Sequence, residues 1–396
     1  MQGTEGAARF PTRFVRVTEA RARFGDRVDR VGALLHASDT LADAAIYEIE
    51  SLPKGDGQRI FQDLCADGPG APSAANAPAL RHLVEAAYTV PAWVDWRAVD
   101  HGGALLLRSG VIGGMVLGAE SLPLGYASPG GNKPLVLSGR LEQQAQSRLN
   151  ETARFVQAVC REGGMRPGAL GHSITLRVRL MHAQVRRMIL RSDRWRMDDW
   201  GLPINQHDMA ATQILFSSVV VDGLRKLGVS VRAEDAERYM HLWRWVSHVI
   251  GVTPELAPAS IADADRLTEL VHATQAEPDQ DSRALTRALL FAEMNAARSP
   301  RSKRRGAAKA HLGAVFMRML CGDLVSDQLG VMHTPLQLGS PLLRRLVRAG
   351  DLVMRAVPGA EDKALVAGLR YWDRVIAVGV SEATAEFGLP ESLRAA

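Results

Sequence analysis

Hydrophobic residues recur mainly every three or four positions along this chain, which is the spacing of one face of an α-helix. The clearest case is the segment 173–190, SITLRVRLMHAQVRRMIL, in which an apolar stripe follows the helical repeat. His182 lies beside the stripe, with Arg179 three residues before it and Arg186 four residues after it. We therefore expect these three side chains to project from neighbouring turns of one helix face.

This predicted helix carries the first indication of chemistry. Two cations one turn away disfavour a third positive charge, so the imidazole of His182 should stay neutral. A neutral imidazole on an apolar wall can be the axial ligand of an iron porphyrin, and cations at the pocket edge suit the two propionates. The alternative is that His182 is an ordinary core residue, as most lone histidines in helices are.

The same helical period continues through most of the chain, and no sustained period-two pattern of a strand occurs. We predict irregular segments at 67–78 and 121–138, and a basic linker at 298–305. The fold class predicted is all-α, in one compact domain over residues 1–396. Helices are predicted over 13–35, 39–52, 79–90, 102–119, 139–159, 173–190, 209–227, 233–251, 261–294 (one or two helices), 307–329, 341–356 and 360–387.

The most apolar segment is 102–119, GGALLLRSGVIGGMVLGA. It is shorter than the ~20 residues that a membrane-spanning helix requires, and it contains Arg108 and several glycines. We expect a buried core helix here and no stable membrane span.

Charge and composition indicate which partner is not expected. The 396 residues carry a formal net charge of only +5, from 48 basic and 43 acidic residues. Most of the basic residues are arginines, which suit carboxylate pairing inside a structure. No basic stripe is interleaved with aromatic residues, so we expect no nucleic-acid partner.

The cysteines and the N-terminal residues indicate the cellular compartment in which the protein is expected. Cys65, Cys160 and Cys321 are too few and too widely spaced for a disulfide framework or a zinc cluster, so reduced thiols are expected. The first residues, MQGTEGAARFPTRFVRV, contain no apolar export segment, which favours a cytoplasmic location. A mature form from which a signal had been removed would look the same.

Other site motifs are weaker. His241 and His248 share a helical face with Glu237, which could form part of a metal site, but the interpretation favoured by the sequence is that each histidine is an aromatic-cluster or surface residue. No GxSxG, HExxH or strand-linked GxGxxG motif is present, so a hydrolase elbow, a zincin site and a dinucleotide site have no support.

One family resemblance emerges from spaced motifs within residues 122–252. The motifs are Arg148-x3-Thr152, the element Arg179-x2-His182-Ala183-x2-Arg186, and Gly201-x-Pro203-Ile204-Asn205-Gln206-x-Asp208. This pattern resembles the latex-clearing protein, or rubber oxygenase, family, which also includes the prenyl-cleaving oxygenases of mycophenolic acid biosynthesis.

The resemblance implies a modified globin-like helical core that holds heme b, with additional N- and C-terminal helices. It implies His182 as the proximal iron ligand, with Arg179 and Arg186 supporting the heme region. It also implies that Arg148 and Thr152 lie on the distal side near dioxygen. Enzymes of this family cleave a carbon–carbon double bond of an isoprenoid chain with O2, giving carbonyl products.

One position departs from the family pattern. Rubber-cleaving members place a glutamate, taken as the base for the allylic proton, where this chain has Asn132, or Lys133 if the loop shifts. Neither residue supplies a carboxylate base. Glu151, beside Thr152, is a candidate substitute, although it is equally placed for a helix ion pair with Arg148.

These observations lead to a heme-dependent oxygenase of a small apolar, isoprenoid-like substrate other than polyisoprene. A second hypothesis is a heme protein that binds O2 or another diatomic without oxygenase activity. A third is a heme-free helical interaction protein in which His182 is structural.

Overall fold

The computed structural model describes the backbone of residues 10–137, 145–295, 297 and 299–379, and their side chains except those of 145–148, 293, 378 and 379. Helices make up 75% of it, and no strand occurs in the described ranges. The one isolated bridge pairs Phe14 with Gln275. The all-α prediction is therefore confirmed.

The first half of the chain forms eleven α-helices within the described ranges: α1 Val17–Phe24, α2 Arg27–Ala33, α3 Thr40–Ser51, α4 Asp56–Asp67, α5 Pro78–Tyr88, α6 Trp96–Gly102, α7 Ala104–Val116, α8 Leu122–Tyr126, α9 Lys133–Leu137, α10 Ala145–Cys160 and α11 Leu170–Leu190. The second half continues with α12 Met197–Trp200, α13 Gln206–Phe216, α14 Ser218–Lys226, α15 Ala233–Val249, α16 Ile261–Thr274, α17 Gln280–Asn295, α18 Pro300–Cys321, α19 Asp323–Gln328, α20 Ser340–Ala356 and α21 Ala360–Gly379.

Besides 307–329, which Gly322 at φ 80° divides into α18 and α19, two predicted helices are each divided in the structure. The segment 13–35 becomes α1 and α2 because Gly25, at φ 59°, ends α1 in a conformation that glycine adopts without strain. The segment 209–227 becomes α13 and α14 because the backbone of Ser217 turns out of the helical region. Apolar periodicity runs through both breaks, so the pattern alone could not locate them.

Two segments predicted to be irregular are partly helical, and the predictions were wrong for those residues. Within 121–138, Pro123 and Pro134 lie in the first turns of the short helices α8 and α9, because proline suits the first turn, where its missing N–H is not needed, while 127–132 are not helical. Of the basic segment 298–305, residues 299–305 are described and begin α18: Ser299 is the N-cap and forms a capping box with Ser302.

The core is centred on α11 and α15. Both helices bury large side chains, including Leu176, Leu180, Trp243 and Trp245. Trp243 stacks on Phe216 with ring centroids 5.4 Å apart. Since α11 also packs against α3 and α10, the segment that carries His182 contacts elements from both ends of the N-terminal half.

The apolar segment 102–119 corresponds mainly to α7, which buries Leu105, Leu106 and Leu107 as predicted. The longer helical stretch Trp96–Tyr126 would, by length and composition alone, be able to cross a membrane, and half of its apolar window is buried. Here α7 packs against α21, where Gly368 leaves no space for a Cβ beside the carbonyl oxygen of Leu107.

A buried carboxyl group lies just after α7, in the π-helical turn Leu117–Ser121. Glu120 is completely buried; its Oε1 accepts a hydrogen bond from Lys226 Nζ at 2.6 Å, and its Oε2 has no partner in the described ranges. Burial outweighs the charge of Lys226 and raises the pKa of Glu120 to about 7. The folded protein therefore holds a proton that the unfolded chain releases at lower pH.

This raised pKa predicts a stability loss with rising pH that Glu120→Gln should remove. The contribution of Glu120 is fully present below the unfolded pKa of 4.5 and is lost as the pH rises through about 7. The loss amounts to roughly 3 kcal/mol, since one pKa unit corresponds to about 1.4 kcal/mol. Urea unfolding at pH 5 and pH 8 measures it, with exposed Glu85→Gln as the control. An unchanged pH slope in Glu120→Gln would contradict the assignment.

Candidate functional site

Two buried ion pairs fix the helix that carries His182. Asp39 caps α3 and receives both Nε and Nη2 of Arg179, at 2.6 and 3.0 Å. The same guanidinium donates to the carbonyl oxygen of Val249 at 3.2 Å. Arg179 and Asp39 are both almost fully buried, so this bidentate pair joins α11 to α3 and to the end of α15 out of contact with water.

Arg186 makes the second connection, two turns further along α11. Its Nε donates to Asp43 at 2.9 Å and its Nη1 to the carbonyl oxygen of Ile204 at 2.7 Å, with only 2% of the residue exposed. Ile204 is in the left-handed region at φ 52°, which is unusual for a β-branched residue. Arg186 thus holds a strained turn in place directly before Asn205, whose side chain caps α13.

The motif residue Asp208 is also paired. Arg13 donates to both of its carboxylate oxygens, at 2.9 and 2.7 Å. Burial alone would raise the pKa of Asp208, but the charge of Arg13 and the contact with His207 lower it to about 2. Asp208 is therefore a permanent anion that ties the N-terminal segment to α13.

His182 lies between the two arginine contacts. Its ring is half-buried, and its Nδ1 is fully buried with no hydrogen-bond partner in the described part of the chain. Burial is the main cause that lowers the pKa of His182 to about 4, and the charge of Arg186 adds to it. The expected neutral imidazole is confirmed, although the sequence argument gave the arginines the leading part that burial has.

The distal candidates lie on α10, which packs against α11. Glu151 and Thr152 are half-buried, one turn before the buried Phe155 and Val156. Arg148 is in the same helix, but its side chain lies outside the described residues. The structure thus places the helix of Arg148, Glu151 and Thr152 next to the helix of His182, and their roles stay predictions.

The two candidates for the missing base are both engaged elsewhere. Lys133 forms ion pairs with Asp279 and Asp281, so its amino group is engaged by two carboxylates. Asn132 is fully buried, and its Nδ2 donates to the carbonyl oxygen of Tyr126 at 3.0 Å and to Ser282 Oγ at 2.9 Å. Neither side chain can accept a substrate proton in this arrangement.

The alternative metal site around His241 and His248 is not formed in the described residues. His241 Nε2 accepts a hydrogen bond from the backbone N–H of Asp95 at 2.9 Å. His248 Nε2 is 3.1 Å from the carbonyl oxygen of Thr89. Both histidines fasten the segment between α5 and α6 to α15.

Sequence reasoning missed the acidic partners Asp39 and Asp43. They lie four residues apart at the start of α3, so they share one face of that helix, and this spacing was the available signal. Which basic residues they meet depends on the packing of α3 on α11, across a separation of 140 residues.

The fold and the site define a class: an all-α protein in which one long helix holds a neutral histidine between two arginine–aspartate pairs, with the histidine Nδ1 unpartnered in the described residues. A sequence model of the family "ER-bound oxygenase mpaB/B'/Rubber oxygenase, catalytic domain" matches residues 96–352. The chain therefore belongs to this oxygenase family, and the matched region is wider than the 122–252 that the motifs indicated.

Two individual similarities agree with the family. The chain is 27% identical over 293 residues to a rubber oxygenase of Streptomyces sp. (strain K30), covering 70% of this chain and 68% of that protein. Its fold is similar to the structure of latex clearing protein LCP in the closed state. That comparison has a TM-score of 0.69 and 24% identity, and it covers 90% of this chain and 95% of the other.

The buried pair predicts a large penalty for Asp39→Asn. Asparagine still caps a helix, so this change removes the charge and leaves Arg179 buried without a counter-ion. Breaking a buried ion pair costs about 3–5 kcal/mol. The exposed pair Arg21–Asp29 provides the control, because Asp29→Asn should cost about 1 kcal/mol or less. Urea unfolding of both variants checks the prediction, which fails if the two losses are equal.

Proposed function

We propose that this chain is a heme b-dependent oxygenase that uses O2 on a small apolar, isoprenoid- or alkene-like substrate other than polyisoprene. The observation that carries the proposal is the state of His182: a neutral, half-buried imidazole with its Nδ1 unpartnered. Membership of the oxygenase family and the prediction of heme from the motif support it. No ligand is needed to explain the other histidines of α11 and α15, because their ring nitrogens are hydrogen-bonded.

The residues present fit a heme. A porphyrin iron requires a neutral imidazole, and the pKa of about 4 keeps His182 in that form across the physiological range. His182 would be the ligand. Arg179 and Arg186 act as positioning residues, since their guanidinium groups are engaged by Asp39, Asp43 and backbone carbonyls on either side of it.

A bound heme would supply the activation of dioxygen, and the protein would supply orientation and charge. Arg148 and Thr152 are one turn apart in helix α10, a sequence spacing that would let one helix offer a cation and a hydroxyl on the same face. Such groups stabilise negative charge that develops on a reacting oxygen species. Their placement on the helix packed against α11 supports this assignment.

The lack of a carboxylate base at positions 132 and 133 limits which substrates the protein can oxidise. General-base assistance contributes about 10²–10⁴-fold in rate, and a buried amide at Asn132 or a paired ammonium at Lys133 cannot give it. Glu151 is the candidate acid or base that the motif leaves. The absence of a carboxylate at positions 132 and 133 also favours the second candidate function, a heme protein that binds O2 or another diatomic without oxygenase activity.

The heme assignment predicts that His182→Ala folds but binds little heme. The side chain is on a helix that the two arginine pairs hold independently, so circular dichroism should remain that of the parent. Absorption spectra after reconstitution with hemin measure the Soret band, and His248→Ala, which removes another half-buried histidine, should retain it. Full heme and an unchanged spectrum in His182→Ala would rule out the ligand assignment.

The missing base predicts poor cleavage of polyisoprene. Oxygen uptake with polyisoprene and with short isoprenoid alkenes, followed by mass spectrometry of carbonyl products, should show turnover of the short alkenes only. Glu151→Gln should lower that turnover, by up to ~10²–10⁴-fold if Glu151 is the base.

Two outcomes would decide against this view. Efficient cleavage of polyisoprene, undiminished in Glu151→Gln, would show that the reaction needs no carboxylate at these positions. A heme-loaded protein that binds O2 reversibly and oxidises none of the alkenes would favour the diatomic-binding function.

A further inference from the structure

We propose that α20 is an interfacial helix that docks this protein on an anionic lipid surface. The helix spans 17 residues, and none of them is buried. Several of its large apolar residues face solvent: Leu346 is 62% exposed and Val353 is 64% exposed. This inference does not depend on heme or on oxygenase activity.

The way α20 is attached shows which face is free. Asp351 accepts a hydrogen bond from the backbone N–H of Ser230 at 3.0 Å and from Arg355 Nε at 3.0 Å. A Cβ at Gly228, which is at φ 102°, would lie only 2.6 Å from the carbonyl oxygen of Arg344, so the backbone of α20 approaches this glycine closely. Leu343 packs on the core. The polar side of α20 is thus partly turned inward, and its apolar side is turned to solvent.

The outward apolar surface is continuous. Helical geometry groups Leu342, Leu346 and Val353 on one stripe, with Leu352 beside it. The preceding turn Pro335–Gly339 extends it with Leu338, which is 88% exposed. A soluble protein rarely leaves so many large aliphatic side chains together in water, so the patch marks an interaction surface.

The charge at this surface selects the partner. Arg345 and Arg348 border the apolar stripe on the side of Leu352, are exposed, and form no ion pair in the described part of the chain. Arg344 lies on the attached side of the helix, with Asp351. Arg345 and Arg348 therefore form a local excess of positive charge beside the stripe. The one acidic residue of α20, Asp351, is engaged by Ser230 and Arg355.

This combination fits an anionic bilayer better than a second copy of the chain. A two-fold contact through this face would bring the unpaired arginines of both copies together without a counter-charge. A single convex helix also offers no groove for a partner helix. Lying flat, it spans about 25 Å, with leucines that enter the acyl boundary and arginines at the headgroup level.

Vesicle flotation with the purified full chain tests the proposal. The chain should bind vesicles of phosphatidylcholine containing phosphatidylglycerol, and should bind pure phosphatidylcholine vesicles far more weakly. Binding should fall at high salt, because screening weakens the attraction of the arginines to the charged surface.

Matched variants separate the helix from general basicity. Joint Arg345→Gln and Arg348→Gln should weaken binding ~25-fold, since each cation near an anionic surface contributes about fivefold. Joint Arg304→Gln and Arg305→Gln removes the same charge from exposed positions of α18, and should leave binding unchanged. Joint Leu342→Gln, Leu346→Gln and Val353→Gln should abolish binding while the arginines remain.

Several results would overturn the proposal. They are absence of binding by the parent, equal losses in the two arginine double variants, or unchanged binding in the apolar triple. Light scattering that shows a dimer, dissociated by the apolar triple, would assign the face to a second copy.

Discussion

The bidentate pair between Arg179 and Asp39 is the constraint on which the site depends. Both groups are nearly out of water, so each would be costly to bury alone, and their geometry has to be kept for the pair to be tolerated. Because Asp39 is also the cap of α3, the start of one helix is aligned with the middle of another. The carbonyl oxygen of Val249 adds the end of α15 to the same junction.

Arg186 fixes α11 at a second point, through its contacts with Asp43 and the carbonyl oxygen of Ile204. Rotation of α11 about its axis would break the contacts of both arginines, so the direction in which His182 projects is set by groups outside the histidine itself. The pairs also change the electrostatics. Asp39 offsets the charge of Arg179 near the imidazole, which is why burial has the largest effect on the pKa of His182, followed by the charge of Arg186.

The sequence was sufficient to locate α11, because a long amphipathic repeat depends only on local spacing. It could not reveal that Asp39 and Asp43 meet this helix, since a contact across 140 residues follows from packing. The same limit explains Lys133, whose partners Asp279 and Asp281 lie far along the chain. At Ser299 the difficulty was local: the capping box uses Ser302 where Glu or Gln is the usual signal.

The residue at position 132 illustrates how the surroundings specify chemistry. Asn132 Nδ2 donates to the carbonyl oxygen of Tyr126 and to Ser282 Oγ, and Ser282 in turn donates to Asp279. The carbonyl oxygen can only accept, so the position needs a donor, which an ionised carboxylate is not. A carboxylate there would also add negative charge beside Asp279 in a buried environment, which would raise its own pKa. The surrounding network therefore selects an amide over a carboxylate at this position. A carboxylate base for the proposed oxidation would have to come from another element, and α10, which packs against α11, carries Glu151.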